Sequence, residues 1–172
     1  MNIVIDFDWT LYDIAALKVE AERLDIMSEW LQGTVWQRLR ASDYFYDDSL
    51  AWLASQRAAG HSLQLLSIHH GPDWGPETER FQKIKIAESG VGDYVDSVTV
   101  VAGKKAEHIG PLLRADQENI FIDDRPEELR AVMIECPSVQ CIRMRRPGSK
   151  YEAEETPEGV LEVHSLADIS AL

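Results

Sequence analysis

A short apolar run that stops at two aspartates constrains this chain more than any other feature. Asn2-Ile3-Val4-Ile5 leads straight into Asp6-Phe7-Asp8-Trp9-Thr10-Leu11-Tyr12. A run of that length without helical spacing reads as a strand buried on both faces. Residues two apart in an extended segment point the same way, so Asp6 and Asp8 would crowd like charges unless the chain turns between or after them. Either a cation bridges them or one of them is protonated. A hard, oxygen-ligated ion such as Mg2+ meets that need and can also accept a phosphate oxygen. Solvated aspartates at an ordinary strand end are the bland alternative.

The chain beyond Tyr12 alternates helical and extended patterns. Ile14, Leu17, Ala21, Leu24, Met27 or Ser28, and Leu31 recur at helical spacing up to Gly33, and Val35, Trp36 and Leu39 suit a second short helix. With the aromatics Tyr44, Phe45 and Tyr46, residues 13–46 read as a small helical insertion whose aromatics serve core packing first. Asp47 or Asp48 is placed to cap a helix running to Ala59, with Gly60 as its left-handed stop. A strand over 62–67 follows, ending at Ser67, and then a turn-rich loop over 68–75. A helix opens at Pro76 with Phe81, Ile84 and Ala87 inward and ends at Gly90. Further strands are expected over 95–101, 119–122 and 139–144, with helices carrying Ile109, Leu112 and Leu113, and then Leu129, Val132 and Met133. A last strand and helix lie after Gly159.

This alternation predicts one α/β domain over 1–172: a doubly wound, mostly parallel sheet with its core in 1–12 and 47–172 and a small cap-like insertion at 13–46. Ligands in such sheets sit beyond the carboxyl ends of the strands, and here that edge is chemically loaded. The first strand delivers Asp6 and Asp8, the second Ser67, the third leads to Lys104 and Lys105, and the fourth ends at Asp123-Asp124.

With a formal charge of −13 and a pI near 4.7, the chain lacks the basic surface that a general nucleic-acid binder or a partner of anionic membranes needs. Met1 runs directly into the first strand with no basic, cleavable leader and no apolar run of membrane-spanning length, so the expected location is the cytoplasm. Cys136 and Cys141 flank Pro137 and fit neither a zinc site nor a disulfide framework; reduced, partly buried thiols are expected.

Taken together, four stretches resemble the haloacid dehalogenase-like (HAD) superfamily of phosphohydrolases, and the resemblance runs the length of the chain. Asp6-Phe7-Asp8-Trp9-Thr10 looks like the Asp-x-Asp-x-Thr signature, Leu65-Leu66-Ser67 like the apolar strand ending in Ser or Thr, Lys104 like the lone lysine, and Phe121-Ile122-Asp123-Asp124 like the acidic strand end. The resemblance implies a Mg2+-dependent phosphomonoester hydrolase. Asp6 would be the nucleophile that forms an aspartyl-phosphate. Asp8 would protonate the leaving oxygen and then activate water. The metal would be held by Asp6, by the backbone carbonyl of Asp8 and by an acid of the fourth motif, with Asp124 favoured as direct ligand, Asp123 as an outer partner and Glu128 as the downstream acid. Ser67 and Lys104 would hold the other phosphate oxygens, with Lys105 as the competing lysine.

Three departures stand out. Trp9 occupies a place where glycine is frequent, Ile68 one where asparagine is frequent, and the insertion is short for a cap, which implies an open site. His69, His70 and the arginines 143, 145 and 146 follow strand ends and could approach an anionic substrate, although most such groups are solvated. The substrate is expected to be phosphorylated; its identity and the oligomeric state are not encoded in any motif. Readings that compete with hydrolysis are a phosphotransferase or phosphomutase using the same intermediate, a catalytically idle module that binds a phosphorylated ligand or a protein, and an enzyme acting on phosphorylated nucleic-acid ends, whose activity would fall steeply with salt.

Overall fold

The computed structural model describes residues 1–29, 34–69 and 77–171. Six parallel strands form one sheet: β1 (Asn2–Ile5), β2 (Ser62–Ile68), β3 (Ser97–Val101), β4 (Asn119–Asp123), β5 (Gln140–Met144) and β6 (Leu161–Val163), in the order β3-β2-β1-β4-β5-β6. β1 lies at the centre because it can: every one of its residues is buried, as a strand covered on both faces requires. Its neighbours are β2 and β4, with Ile5 level with Leu65 on one side and Ile122 on the other. The strand order reverses between β1 and β4, and the carboxyl ends on either side of that switch carry Asp6 and Asp123. This is the doubly wound arrangement expected from the alternation.

Alternate residues of the strands build two cores. On one face Ile3, Ile5, Leu65, Ile122 and Ile142 meet Trp52 and Leu53 of α2 (Ser49–Ala58) and Phe81 and Ile86 of α3 (Glu77–Ser89). On the other, Val4, Leu66, Phe121 and Cys141 meet Ile109 of α4 (Ala106–Ile109) and Leu129 and Val132 of α5 (Pro126–Glu135). Cys136 and Cys141 are free thiols, and burial pushes that of Cys141 up to about 12. Among the described residues no helix is long and apolar enough to cross a membrane.

The insertion is less helical than its spacing implies. α1 (Ile14–Arg23) is capped by the Asp13 carboxylate, which accepts from the Ala16 N–H at 2.9 Å. It stops eight residues before Leu31, where Asp25 turns the chain through a left-handed φ of 54°. Ile26 then enters the core in place of Met27, which is exposed. Short 3₁₀ turns at Met27–Glu29, Thr34–Gln37 and Ala41–Tyr44 complete the described part; Leu31 and Gly33 lie outside the described residues. The aromatics do pack inward, Phe45 edge-on to Tyr12 and Phe7 and Trp36 stacked on Phe81 at 5.8 Å.

Asp48 precedes α2 but does not cap it. Its carboxylate instead accepts from Arg146, from the Ser165 hydroxyl and from the Leu166 N–H. Gly60 closes the helix with a φ of 81°, a conformation glycine adopts without a Cβ penalty.

Candidate active site

Beyond the carboxyl ends of β1, β2 and β4 lies a cleft of about 250 Å³ lined by Asp6, Asp8, Ser67, Lys105 and Asp124. Asp6 is 5 % exposed and continues β1: its N–H donates to the Ile122 carbonyl at 2.9 Å. Its Oδ1 accepts a hydrogen bond from the ammonium of Lys105, which also donates to Asp123 Oδ2 at 2.5 Å. Lys105, not Lys104, is thus the lysine of the site. Lys105 is 1 % exposed while Lys104 faces solvent. The choice between the adjacent lysines is made by Glu128, a buried residue of α5 whose Oε2 accepts from the Lys105 backbone N–H at 2.8 Å. The downstream acid therefore positions the lysine.

Burial pushes the Asp6 carboxyl up to about 7, against the opposing pull of Lys105 and with the help of Asp123 nearby. Lys105 itself is held well above the usual lysine range: its own desolvation is outweighed by Asp123 and Asp6. The two neighbouring aspartates of β4 have different surroundings. Both oxygens of Asp123 are used, one by Lys105 and one by the Arg125 N–H at 2.8 Å. Asp124, 2 % exposed, has an Oδ2 that is buried without a hydrogen-bond partner, and desolvation together with Asp123 and Asp6 raises its carboxyl well above the ordinary value. Ligand oxygens of Asp6, Asp123 and Asp124 all lie within 4.8 Å of one another. Crowded, buried carboxylates with an orphaned oxygen suit a hard divalent cation, which would supply the missing charge and take the free lone pairs.

Asp8 sits at the mouth with its carboxylate between two residues of α3 that the apolar stripe of that helix does not predict. Lys85 Nζ donates to both oxygens at 2.6 and 2.7 Å, and Gln82 Nε2 donates to Oδ2 at 2.8 Å and to Ser67 Oγ at 2.8 Å. Lys85 is buried, its ammonium 5.6 to 5.8 Å from the ring centres of Phe7, Tyr12 and Phe81. Desolvation lowers its pKa although Asp8 draws it up. α3 turns Phe81, Gln82, Lys85 and Ile86 inward and leaves Ala87 exposed. Lys85 lies four residues after Phe81, so the helical period itself puts both on one face; that spacing was the available signal.

Trp9, where glycine is frequent in the similar motif, adopts a φ of 62°. The left-handed turn here carries a side chain, and Trp9 joins Ile68 in lining the cleft. Thr10 ties the turn through its carbonyl, which accepts from Arg146 Nε and Nη2 at 3.2 and 3.0 Å, while its buried hydroxyl has no partner among the described residues. Arg143 and Arg146 are neither solvated nor in the cleft. Both are buried anchors, Arg146 lying 4.3 Å from the Tyr46 ring centre, and Arg145 pairs with Glu162. His69 contacts Thr78 at 3.4 Å; His70 lies outside the described residues.

No protein-family model matches the chain, and no curated protein matches it in sequence. Solved structures do. A protein from Burkholderia xenovorans described as a haloacid dehalogenase-like hydrolase superposes with a TM-score of 0.70 at 16 % identity, covering 99 % of this chain and 95 % of that one. A HAD-hydrolase from Bacillus subtilis bound to magnesium gives 0.67 at 12 % identity, over 99 % and 96 %. The D,D-heptose bisphosphate phosphatase of B. bronchiseptica, complexed with magnesium and phosphate, gives 0.63 at 15 % identity, over 99 % and 96 %. The fold of this chain is the α/β fold of HAD-superfamily hydrolases and phosphatases.

Proposed function

We propose that this protein is a phosphomonoester hydrolase in which Asp6 is the nucleophile and Asp8 the general acid and base. The observation that carries the reading is the buried lysine held between Asp6 and Asp123, next to Asp8, Ser67 and the orphaned oxygen of Asp124. Asp6 attacks phosphorus, the bond from phosphorus to the ester oxygen breaks, and Asp8 in its acid form gives that oxygen a proton. Asp8, now ionised, takes a proton from water as the water attacks the aspartyl-phosphate, which releases phosphate and restores Asp6. Lys105 and Ser67 steady phosphate oxygens that Asp6 does not attack. Gln82 bonds both Asp8 and Ser67 and so fixes the distance between acid and phosphate contact. Asp6, Asp124 and the backbone carbonyl of Asp8 would hold Mg2+, with Asp123 aligning Lys105. Once bound, the ion neutralises charge on the phosphoryl group.

Phosphate release from a panel of phosphomonoesters, with Mg2+ or with EDTA, tests this. Release is expected with Mg2+ alone, and Asp6→Asn and Asp8→Asn should each lower it by at least about 100-fold. Phosphate release that persists in Asp6→Asn would remove the covalent route. Phosphate appearing on an added alcohol or sugar instead of in solution would identify a phosphotransferase.

A further inference from the structure

Two of the cations that line the cleft, Lys18 and Lys150, have no carboxylate partner among the described residues. Among the described residues Lys18, Lys85, Lys105, Arg125 and Lys150 line it together with the acids Asp6, Asp8 and Asp124, in a chain whose net charge is −13. Lys85 and Lys105 are committed to Asp8, Asp6 and Asp123. The other three come from separate segments: Lys18 from α1, Arg125 from the end of β4, Lys150 from the connection between β5 and β6. Lys18 and Lys150 are exposed and, among the described residues, form no ion pair. Arg125 reaches Glu128 at 3.6 Å and Glu127 at 3.8 Å, yet its buried Nε has no hydrogen-bond acceptor.

Two of these cations are gathered on one ring. The Arg125 guanidinium lies 5.5 Å, and the Lys150 ammonium 5.2 Å, from the ring centre of Tyr151, which itself lines the cleft. The backbone that carries the ring is fixed by a buried arginine. Arg143, fully buried, donates to the Tyr151 carbonyl at 2.7 Å, to the Glu154 carbonyl at 2.6 Å and to Thr156 Oγ1 at 2.7 Å. An aromatic ring attracts each of these cations. Among the described residues no carboxylate pairs with Lys150, although the chain has 30 acidic residues. Two cations beside one ring of the cleft lining, one of them with an unmet donor, make a place where an anion can be received.

We propose that the substrate carries a second anionic group, a phosphate or a carboxylate, besides the phosphoryl group that is transferred. Arg125 and Lys150 receive it at Tyr151, and Lys18 adds its charge from α1. The proposal rests on the hydrolase reading for the position of the first phosphate.

Three phosphomonoesters built on one three-carbon chain test it: one ending in methyl, one in carboxylate and one in a second phosphate. Phosphate release with Mg2+ is expected to show a KM about tenfold lower for one or both of the doubly anionic compounds than for the methyl compound, with kcat similar. Which compound gains tells carboxylate from phosphate. Lys150→Gln should bring the preference within about twofold, Lys150→Arg should keep it, and added salt should weaken it, since Lys150 is exposed. Equal KM values for all three compounds in the wild type, or a preference untouched by Lys150→Gln, overturns the proposal. Calorimetric titration of the same compounds into Asp6→Asn protein with Mg2+ reads binding without turnover. If no compound is hydrolysed, the hydrolase reading fails, and the ratio of Kd values still decides for or against the second subsite.

Discussion

Replacing Lys105 by Met removes a buried cation that two buried carboxylates share. Lys105 is 1 % exposed, Asp6 5 % and Asp123 0 %, so none of the three can turn to water without disturbing β1 or β4. Removing one partner of such a group leaves uncompensated buried charge, which costs about 3–5 kcal/mol. With a urea slope of about 2 kcal/mol/M, the midpoint in EDTA at pH 7 should fall by about 1.5–2.5 M. The loss should depend on pH in a defined direction. Burial already holds Asp6 above its unfolded value, at about 7, and without Lys105 it rises further. A carboxyl raised in the folded state costs stability above its unfolded pKa and nothing below it. The deficit of Lys105→Met is therefore largest near pH 8 and shrinks towards pH 4. EDTA keeps Mg2+ from concealing it, since an ion present at a hundredfold its Kd would add about 2.7 kcal/mol to any form that binds it only when folded. Lys104→Met, at an exposed position, should stay within about 0.5 kcal/mol of wild type. A Lys105→Met protein within about 1 kcal/mol of wild type at pH 7, or an equal loss in Lys104→Met, would refute the reasoning.

Arg146→Met should cost about 2–4 kcal/mol in urea unfolding at pH 7, because it frees the buried Thr10 carbonyl and Asp48 at once. Desolvation of Asp48 is outweighed by hydrogen bonds from Arg146, Ser165 and Leu166, which hold its carboxyl below the usual range. That contribution is present above the unfolded pKa and lost as pH falls through the folded one, so the gap between wild type and Asp48→Asn should narrow from pH 7 to pH 3. At position 9 two variants that both lack the indole isolate the backbone. With φ at 62°, Trp9→Gly should be about 1 kcal/mol more stable than Trp9→Ala by thermal unfolding. The reverse order would mean that the turn relaxes.

The strands, their order of appearance and the acids at their ends were legible because each depends on residues adjacent in sequence: an apolar run, then a carboxylate. What was not legible depends on partners far away. Lys104 and Lys105 have the same local surroundings in the sequence, and Glu128, 23 residues on, decides which turns inward. Arg146 reads as a surface charge until its acceptor is found 136 residues earlier. α3 misleads for another reason. Counting apolar residues selects Phe81 correctly but also Ile84 and Ala87, whereas Gln82 and Lys85, which bond Asp8, are buried beside Phe81 and Ile86. The end of α1 was overrun because Asp25 takes a left-handed conformation that asparagine and aspartate tolerate but do not announce.

Each proposed catalytic carboxylate pairs with a different lysine, Lys105 being shared with Asp123, and each lysine arrives from a different crossover: Lys85 from the helix between β2 and β3, Lys105 from the segment between β3 and β4. Neither can reach its aspartate until the sheet has formed and the helix has docked, so the charges of the site are compensated only in the folded state. Compensation is not free. Lys85 has a folded pKa below its unfolded one through desolvation, so below that folded value, where the amine is protonated in both states, its burial opposes folding. A lysine with a depressed folded pKa gains stability only as pH rises through that value towards the unfolded one. A buried methionine at the same place would avoid that cost and keep contact with Phe7, Tyr12 and Phe81. What it could not do is hold both oxygens of Asp8. The charged residue in this apolar aromatic pocket holds the orientation of Asp8, and it does so at a cost in stability.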